Sequence, residues 1–458
     1  MPDQIIHAQP ALEFIPPALN PLILWGCQKL LPAWLPLKTT ITDIQADNVA
    51  ELVKLFQQFQ EGKIRFLLAF RHPNTDDPYC LGYLTWQLVP QIAREKGIPL
   101  KYPTHFHFIY DRGIPLWAGE QIGWLYSRLG GTPIQRGKID RLGLRSAREL
   151  FVDGKFPLAA SPEGATNGHN ELVSPLEPGI AQLGFWCAED LLKAGRSEQV
   201  LIVPMGIQYR YVEEPWDAVD KLLSQLETEC GLPAFEKLPE SQENPKSEIQ
   251  SYFYRRLIRI GGHLLAMMEE FYTHFYHRKL PQISENAELS TRLYALLDVA
   301  LQVAEEYFNL SQKGNLIDRC RRLEQAGWDR IYREDIKDFE TLSLLERGLA
   351  DRIAEEANLR MWHMRLAESF VAVTGQYVKE KPTVERFAET ALLLRDVMTR
   401  IQGGNPFGRP KLGKQRVQLT VGEPISVTDR WDAYKTSRRS AVAGLTKDLQ
   451  TALEGMIF

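Results

Sequence analysis

The stretch FRHPNTDDPY, residues 70–79, sets a histidine and an aspartate at His-x4-Asp spacing directly after an apolar run, KIRFLLAF. Such a run reads as a buried strand, and DPYCLGYLTWQLVPQIAREKG reads as a helix starting near Asp76. His72 then sits in the strand-to-helix turn and Asp77 in the first helical turn. From there the carboxylate can reach one imidazole nitrogen, fix the tautomer and stabilise the imidazolium. The other nitrogen is left to take a proton from a hydroxyl. The plainer use of Asp76 or Asp77 is to cap the helix, and the spacing alone is common by chance.

Three further stretches follow in order. GGTPIQRG, residues 130–137, offers Arg136 after a glycine-rich turn, and a guanidinium suits bidentate phosphate binding. ASPEGATNG, residues 160–168, ends a strand in Pro162-Glu163-Gly164, where Gly164 would let backbone N–H groups come close to an oxygen. LIVPMGIQY, residues 201–209, is an apolar strand carrying Pro204. Singly these read as a surface arginine, a β-turn and a core strand; together and in this order they are much less expected by chance.

The elements that must position these residues alternate. KIRFLLAF, THFHFIY, FPLAASPEG and QVLIVPMGIQYRYV read as strands, and Leu81, Leu84, Leu88 and Ile92 repeat at helical spacing between two of them. That alternation predicts an α/β fold, a mixed sheet flanked by helices. The pattern changes after about Glu214. EKLPESQENPKSE is a polar linker, and long helical patterns without sustained heptads follow, as in a globular helical domain. β character returns in RVQLTVGEPISV, before a last helix capped near Asp429. A lone strand cannot bury itself, so it should rejoin the first sheet and make the helical region an insertion. The expected organisation is an N-terminal segment 1–39, a first part 40–213, a helical insertion 214–413, and a closing strand and helix 414–458.

The totals limit the function. With 458 residues, 44% hydrophobic and 24% charged, the chain suits two or three soluble domains. A net charge of -4 argues against a nucleic-acid partner. Cys27, Cys80, Cys187, Cys230 and Cys320 form no C-x-x-C pair, as expected of reduced thiols in a cytoplasmic protein. The start lacks a basic region followed by an apolar core, so no secretory signal is expected. Phe14 to Gln28 carries no charge, yet it is too short to span a bilayer and is broken by Pro16, Pro17 and Pro21. Beyond it, Trp25 and Trp34 lie among leucines with Lys29 and Lys38 nearby. That segment either lies in a membrane interface or packs on the domain.

In these four blocks the chain resembles the PlsC-like glycerolipid acyltransferases, the family of lysophosphatidic acid (1-acyl-sn-glycerol-3-phosphate) acyltransferase. The blocks here are HPNTDD, GTPIQR, SPEGAT and IVPMGI, and VQLTVGEPI is similar to the family's closing strand. The resemblance covers about residues 40–213 and 414–458 and leaves the helical region unmatched. It implies that His72 deprotonates an acceptor hydroxyl while Asp77 orients it. The alkoxide attacks the thioester of acyl-CoA or acyl-carrier protein, and the histidine returns its proton to the leaving thiolate. No acyl-enzyme is then needed, and no G-x-S-x-G elbow is present. Arg136 and Glu163 match acceptor-contacting positions, and Gly131, Gly164 and Pro204 fall within the substrate-binding blocks. The resemblance also implies a peripheral membrane enzyme of phospholipid synthesis with no cofactor beyond its thioester co-substrate.

One position departs from the family pattern. Thr166 stands where the third block carries an arginine. Losing a charge-assisted hydrogen bond, about 1.5–3 kcal/mol, would weaken a phosphate-bearing acceptor. Either Lys138, Arg141 or Arg145 compensates, which is the favoured reading, or the acceptor is a neutral lipid alcohol. A lipid-binding protein of the same fold without turnover is the third alternative, against which His72 and Asp77 argue. The basic run RGKIDRLGLR otherwise reads as a solvated helix face. His105 with His107, and His274 with His277, could each share a metal, but no further ligand stands at motif spacing, so none is expected. Phe253, Met267, Phe271 and Phe275 read as helix core before lipid contact.

Overall fold

In the computed structural model, the described residues are 6–136, 140–236, 245–281, 288–370, 373, 376–406 and 408–458. The chain forms two compact units, one of Glu13–Glu213 with Gly413–Phe458, the other of Met1–Leu12 with Glu214–Leu412.

The first unit is built on a mixed sheet, eight-stranded among the described residues. Its strands are β1 (Ile41–Asp47), β2 (Ile64–Phe70), β3 (His107–Asp111), β4 (Gly131–Ile134), β5 (Leu158–Ala160), β6 (Gln199–Tyr211), β7 (Gln415–Val421) and β8 (Ile425–Ser426). The order across the sheet is β1-β7-β6-β2-β5-β3-β4, with β8 also pairing on β6. From β6 to β4 all neighbours are parallel, while β7 and β8 run antiparallel to β6. The late strand therefore does return to the first sheet, where β7 lies between β1 and β6.

The IRFLLAF run of β2 is buried on both faces, as expected of an inner parallel strand. Phe66 and Leu68 face a core with Leu52, Phe56, Leu84 and Phe106. Leu67 and Ala69 face the opposite core with Phe151, Leu158, Phe185 and Leu449. Phe66 is fully buried and packs edge-on to Phe56 at 5.7 Å and Phe106 at 5.9 Å. A buried side chain of this size stabilises by roughly 1.5–3 kcal/mol. Pro204 sits inside β6, where a missing N–H would ordinarily break a ladder. It is tolerated because β6 changes antiparallel partner there: Ile202 pairs with Ile425, and Met205 with Val421. In that gap Gly422 N–H donates to the Pro204 carbonyl at 2.9 Å.

The parallel arrangement brings the C-terminal ends of β2, β3, β4 and β5 to one edge, where open α/β sheets generally bind ligands. His72, Asp111, Arg136 and Glu163 all stand at or just past those ends.

The helix Pro21–Lys38 is capped by Asn20, whose Oδ1 accepts from the N–H groups of Leu22 and Ile23. It buries Leu24, Leu31 and Leu35, while Leu22, Trp25, Leu30 and Leu37 stand well exposed on the other side. One face of this segment thus packs on the domain and the other is bare.

The second unit is helical. Its long helices are Trp216–Glu229, Pro245–His274, Leu289–Phe308, Leu316–Ile331, Leu344–Glu368 and Val384–Ile401. One core joins Leu301, Leu323, Ala354, Ala357 and Met361. Buried Arg256 pairs with Glu227, and buried Arg319 with Glu305. Residues Gln9–Pro10 pair with Tyr332–Arg333, and His7 bonds Asp351 at 2.9 Å. Most of the polar linker lies outside the described residues. Among the residues singled out as lipid or core, Phe253 is buried and stacks on Trp216 at 4.9 Å, whereas Met267 and Phe275 are exposed. All five cysteines are free thiols.

Candidate active site

The turn after β2 places His72 with its side chain 23% exposed and Asp77 fully buried. Asp77 Oδ2 lies 2.8 Å from His72 Nδ1. The helix Asp77–Tyr83 has Asp76 at its N-cap position without a side-chain cap bond, and Asp77 is its first residue. Asp77 Oδ2 also accepts from the Asn74 N–H at 3.0 Å, and its Oδ1 accepts from the Tyr209 hydroxyl at 2.6 Å. Tyr209 is buried, and burial together with the neighbouring Asp77 charge pushes its phenol well above the ordinary range. It therefore stays protonated and donates. With three donors on it, the carboxylate has little freedom to rotate away from the imidazole.

With Nδ1–H directed at Asp77, the other ring nitrogen carries the lone pair. Thr166 Oγ1 stands 2.9 Å from that Nε2. A hydroxyl therefore already occupies the position from which a base would draw a proton. The position read in the sequence as a lost positive charge supplies, in the structure, a polar contact to the second ring nitrogen of the base.

The Pro162-Glu163-Gly164 turn braces this arrangement. Glu163 Oε1 accepts from the His72 N–H at 2.8 Å, while Oε2 accepts from Asn167 Nδ2 at 2.7 Å and Ser174 N–H at 2.9 Å. Asn167 N–H donates to the His72 carbonyl at 3.1 Å. Gly164 has φ +71°, a left-handed conformation, and a side chain there would collide with the Glu177 carboxylate. Its carbonyl accepts from Arg136 Nη1 at 2.6 Å, and Arg136 Nε donates to Asp111 Oδ2 at 2.6 Å. Arg136 thus ties the ends of β3, β4 and β5 together.

Comparison of the chain with protein-family models, curated proteins and solved structures finds no match.

His72, Asp77, Glu163 and Thr166 are thus gathered in one cluster, with Gly164 and Arg136 adjoining it. The other two expected binding residues lie in the sheet. Gly131 opens β4, where a side chain would press into the Phe108 ring, and Pro204 takes the gap in β6. Lys138 lies outside the described residues, and Arg145 is exposed and pairs with Glu149 at 2.9 Å, as on a solvated helix face. Reading the sequence did not find Tyr209, Asp111 or Asn167. Tyr209 ends the stretch LIVPMGIQY, two residues past the fourth block, but its partner is 132 residues away, and no spacing rule connects them.

His105 and His107 hold structural bonds. His105 Nε2 is 2.8 Å from the Leu129 carbonyl, and its Nδ1 accepts from Trp86 Nε1 at 3.2 Å. Burial lowers its pKa to about 4. His107 Nδ1 faces the Gly130 carbonyl at 2.9 Å and is likewise lowered by burial. His274 is exposed beside Glu270. No group of three metal-ligating side chains occurs among the described residues.

Proposed function

We propose that this chain transfers a fatty acyl group from a thioester donor, acyl-CoA or acyl-carrier protein, to the hydroxyl of a lysophospholipid. The favoured acceptor is 1-acyl-glycerol-3-phosphate, giving phosphatidic acid. The observation that carries the reading is the hydroxyl of Thr166 on His72 Nε2, opposite the bond to Asp77. Exchanged for an acceptor hydroxyl, the same contact is a general-base encounter at hydrogen-bond distance. Nε2 takes the acceptor proton as its oxygen adds to the thioester carbonyl. The tetrahedral intermediate collapses, the C–S bond breaks, and the thiolate leaves with the proton returned from Nε2. Asp77 holds the ring and stabilises the transient imidazolium without itself taking the proton. The order and content of the four blocks, which resemble those of PlsC-like acyltransferases, support the same chemistry.

A peripheral membrane location fits the bare face of the helix Pro21–Lys38. Leu22, Trp25, Leu30, Trp34 and Leu37 are exposed there, and the Lys38 ammonium lies 5.4 Å from the Trp34 ring. Among the described residues no helix is long and apolar enough to cross a membrane.

A second reading, an acceptor without a phosphate monoester, is favoured by Arg136 being held by Asp111 and the Gly164 carbonyl. An acceptor panel with one isotope-labelled acyl thioester, read by mass spectrometry, separates the two. Labelled phosphatidic acid supports the first, and labelled neutral lipid alone supports the second. His72→Ala should abolish either product in a protein that remains folded. Undiminished turnover in that variant ends both readings.

A further inference from the structure

Arg71, the residue before the base, is fully buried. Its main-chain N–H makes the last rung of β2 on β6, donating to the Met205 carbonyl at 2.9 Å. β6 runs on to Tyr211, so beyond Met205 it has lost β2 as its parallel neighbour. Backbone groups on a buried edge need other partners. The Ile207 carbonyl accepts from Arg71 Nη1 at 3.3 Å, and the Tyr209 N–H donates to Asn170 Oδ1 at 2.7 Å. The segment 169–172 thus takes over where β2 stops.

The same guanidinium gathers that segment. Arg71 Nη1 donates to the Asn170 carbonyl at 2.7 Å, and Nη2 donates to the carbonyls of Leu172 at 2.7 Å and His169 at 3.2 Å. With Ile207, four carbonyls accept from one side chain. Guanidinium suits this, because its donors lie in a rigid planar fork, whereas a lysine has three on a flexible stem.

Both anchors of His72 lead back to this segment. The Leu172 carbonyl also accepts from Asn167 Nδ2 at 2.8 Å, and the same Nδ2 meets Glu163, whose other oxygen holds the His72 N–H. Asn170 holds the Tyr209 main chain, and the Tyr209 hydroxyl holds Asp77. Thr166 directly precedes Asn167 in the chain.

We infer that Arg71 is a positioning residue of the proposed acyl transfer. It ties the 169–172 segment to the end of β2, and so fixes the loop bearing Thr166 and Asn167 against the imidazole. It neither takes a proton nor touches the acceptor. The inference rests on the reading of His72 as general base.

The test is steady-state acyl transfer by the full chain carrying Arg71→Ala, with the melting temperature measured alongside. A misplaced base loses speed before affinity, so kcat should fall about 100-fold with both KM values little changed. Ethylguanidinium, the part of the side chain that Arg71→Ala removes, should restore kcat at least tenfold at millimolar concentration. Ethylammonium should not, and neither salt should alter the wild type. If Arg71→Ala fails to fold, Arg71→Lys keeps the charge without the fork and should lose kcat at least tenfold with KM unchanged. Wild-type kcat in either variant, while His72→Ala is inactive, overturns the inference and leaves the general-base reading standing. A loss that only tracks the folded fraction, without rescue, also overturns it, since Arg71 then serves stability alone. Turnover retained in His72→Ala ends the general-base reading and the inference with it.

Discussion

Replacing Thr166 by valine distinguishes two roles for the hydroxyl on the base. Valine keeps the branched shape of threonine and replaces only the hydroxyl, by a methyl group. In the proposed reaction the acceptor hydroxyl must displace Thr166 Oγ1 from its 2.9 Å contact with His72 Nε2. A neutral hydrogen bond contributes about 0.5–1.5 kcal/mol net. Thr166 is exposed, so water competes for the same nitrogen and the lower half of that range applies. The free enzyme loses this stabilisation in the variant, and acceptor binding gains it. The expected result is a fall of about two- to fourfold in acceptor KM, using ~0.5–0.8 kcal/mol from that range, with kcat unchanged. Steady-state kinetics with a saturating acyl thioester and a varied lysolipid measures this directly. A drop in kcat of a thousandfold or more would refute the reasoning. It would make Thr166 the attacking oxygen of a Thr-His-Asp relay, and an acyl ester on Thr166 should then be trapped and seen by mass spectrometry.

The remaining predictions are simpler to state. Tyr209→Phe removes one of three donors from Asp77 and should lower kcat about 5- to 30-fold, for roughly 1–2 kcal/mol of lost alignment, with KM little changed; wild-type kcat would dismiss Tyr209 as a positioning residue. His105 is held neutral, with its pKa lowered to about 4, so the unfolded chain binds its proton first as pH falls below 6.5. Its contribution to stability is therefore complete above pH 6.5 and is lost progressively toward pH 4. Urea midpoints at several pH values should show a shallower acid slope in His105→Gln, and an identical slope would contradict this. Trp25→Glu with Leu30→Glu should cut binding to anionic vesicles more than tenfold in a sedimentation assay, since each side chain would otherwise bury about 1.5–3 kcal/mol of apolar surface. Undiminished sedimentation would remove that face from the membrane proposal.

The sequence showed most clearly those features whose partners are close in the chain. β2 was readable because an inner parallel strand is apolar on both faces, and His72 with Asp77 because the strand, the turn and the first helical turn bring the two together locally. β1 and β4 were not recognised. β1 lies at one edge of the sheet with Asp43, Gln45 and Asp47 along it, so it lacks the apolar signal of an inner strand. β4 is four residues long, and its glycine reads as a turn when it is in fact making room for Phe108. The return of β7 to the sheet could be argued from a lone strand's need for partners, but its place between β1 and β6 could not. The contact of Thr166 with His72 could not be read from the sequence, for a physical reason. A motif compares side-chain types at one position, whereas the distance of a hydroxyl from His72 depends on the course of the whole 161–170 loop.

Two buried carboxylates serve the same histidine, and the fold gives them different tasks. Glu163 holds the backbone of His72 and the loop that carries Asn167, with its oxygens turned to three protein donors. Asp77 holds the ring, and its second oxygen accepts from a phenol that stays protonated. Because main chain and ring are fixed separately, the imidazole cannot turn without breaking bonds at one anchor or the other. Its reacting nitrogen is therefore aimed before any substrate arrives, and proton transfer needs little reorganisation of the protein. What must move is the Thr166 hydroxyl, a short exposed rotor, which is why the acceptor's affinity and not the speed of the chemical step should register its removal.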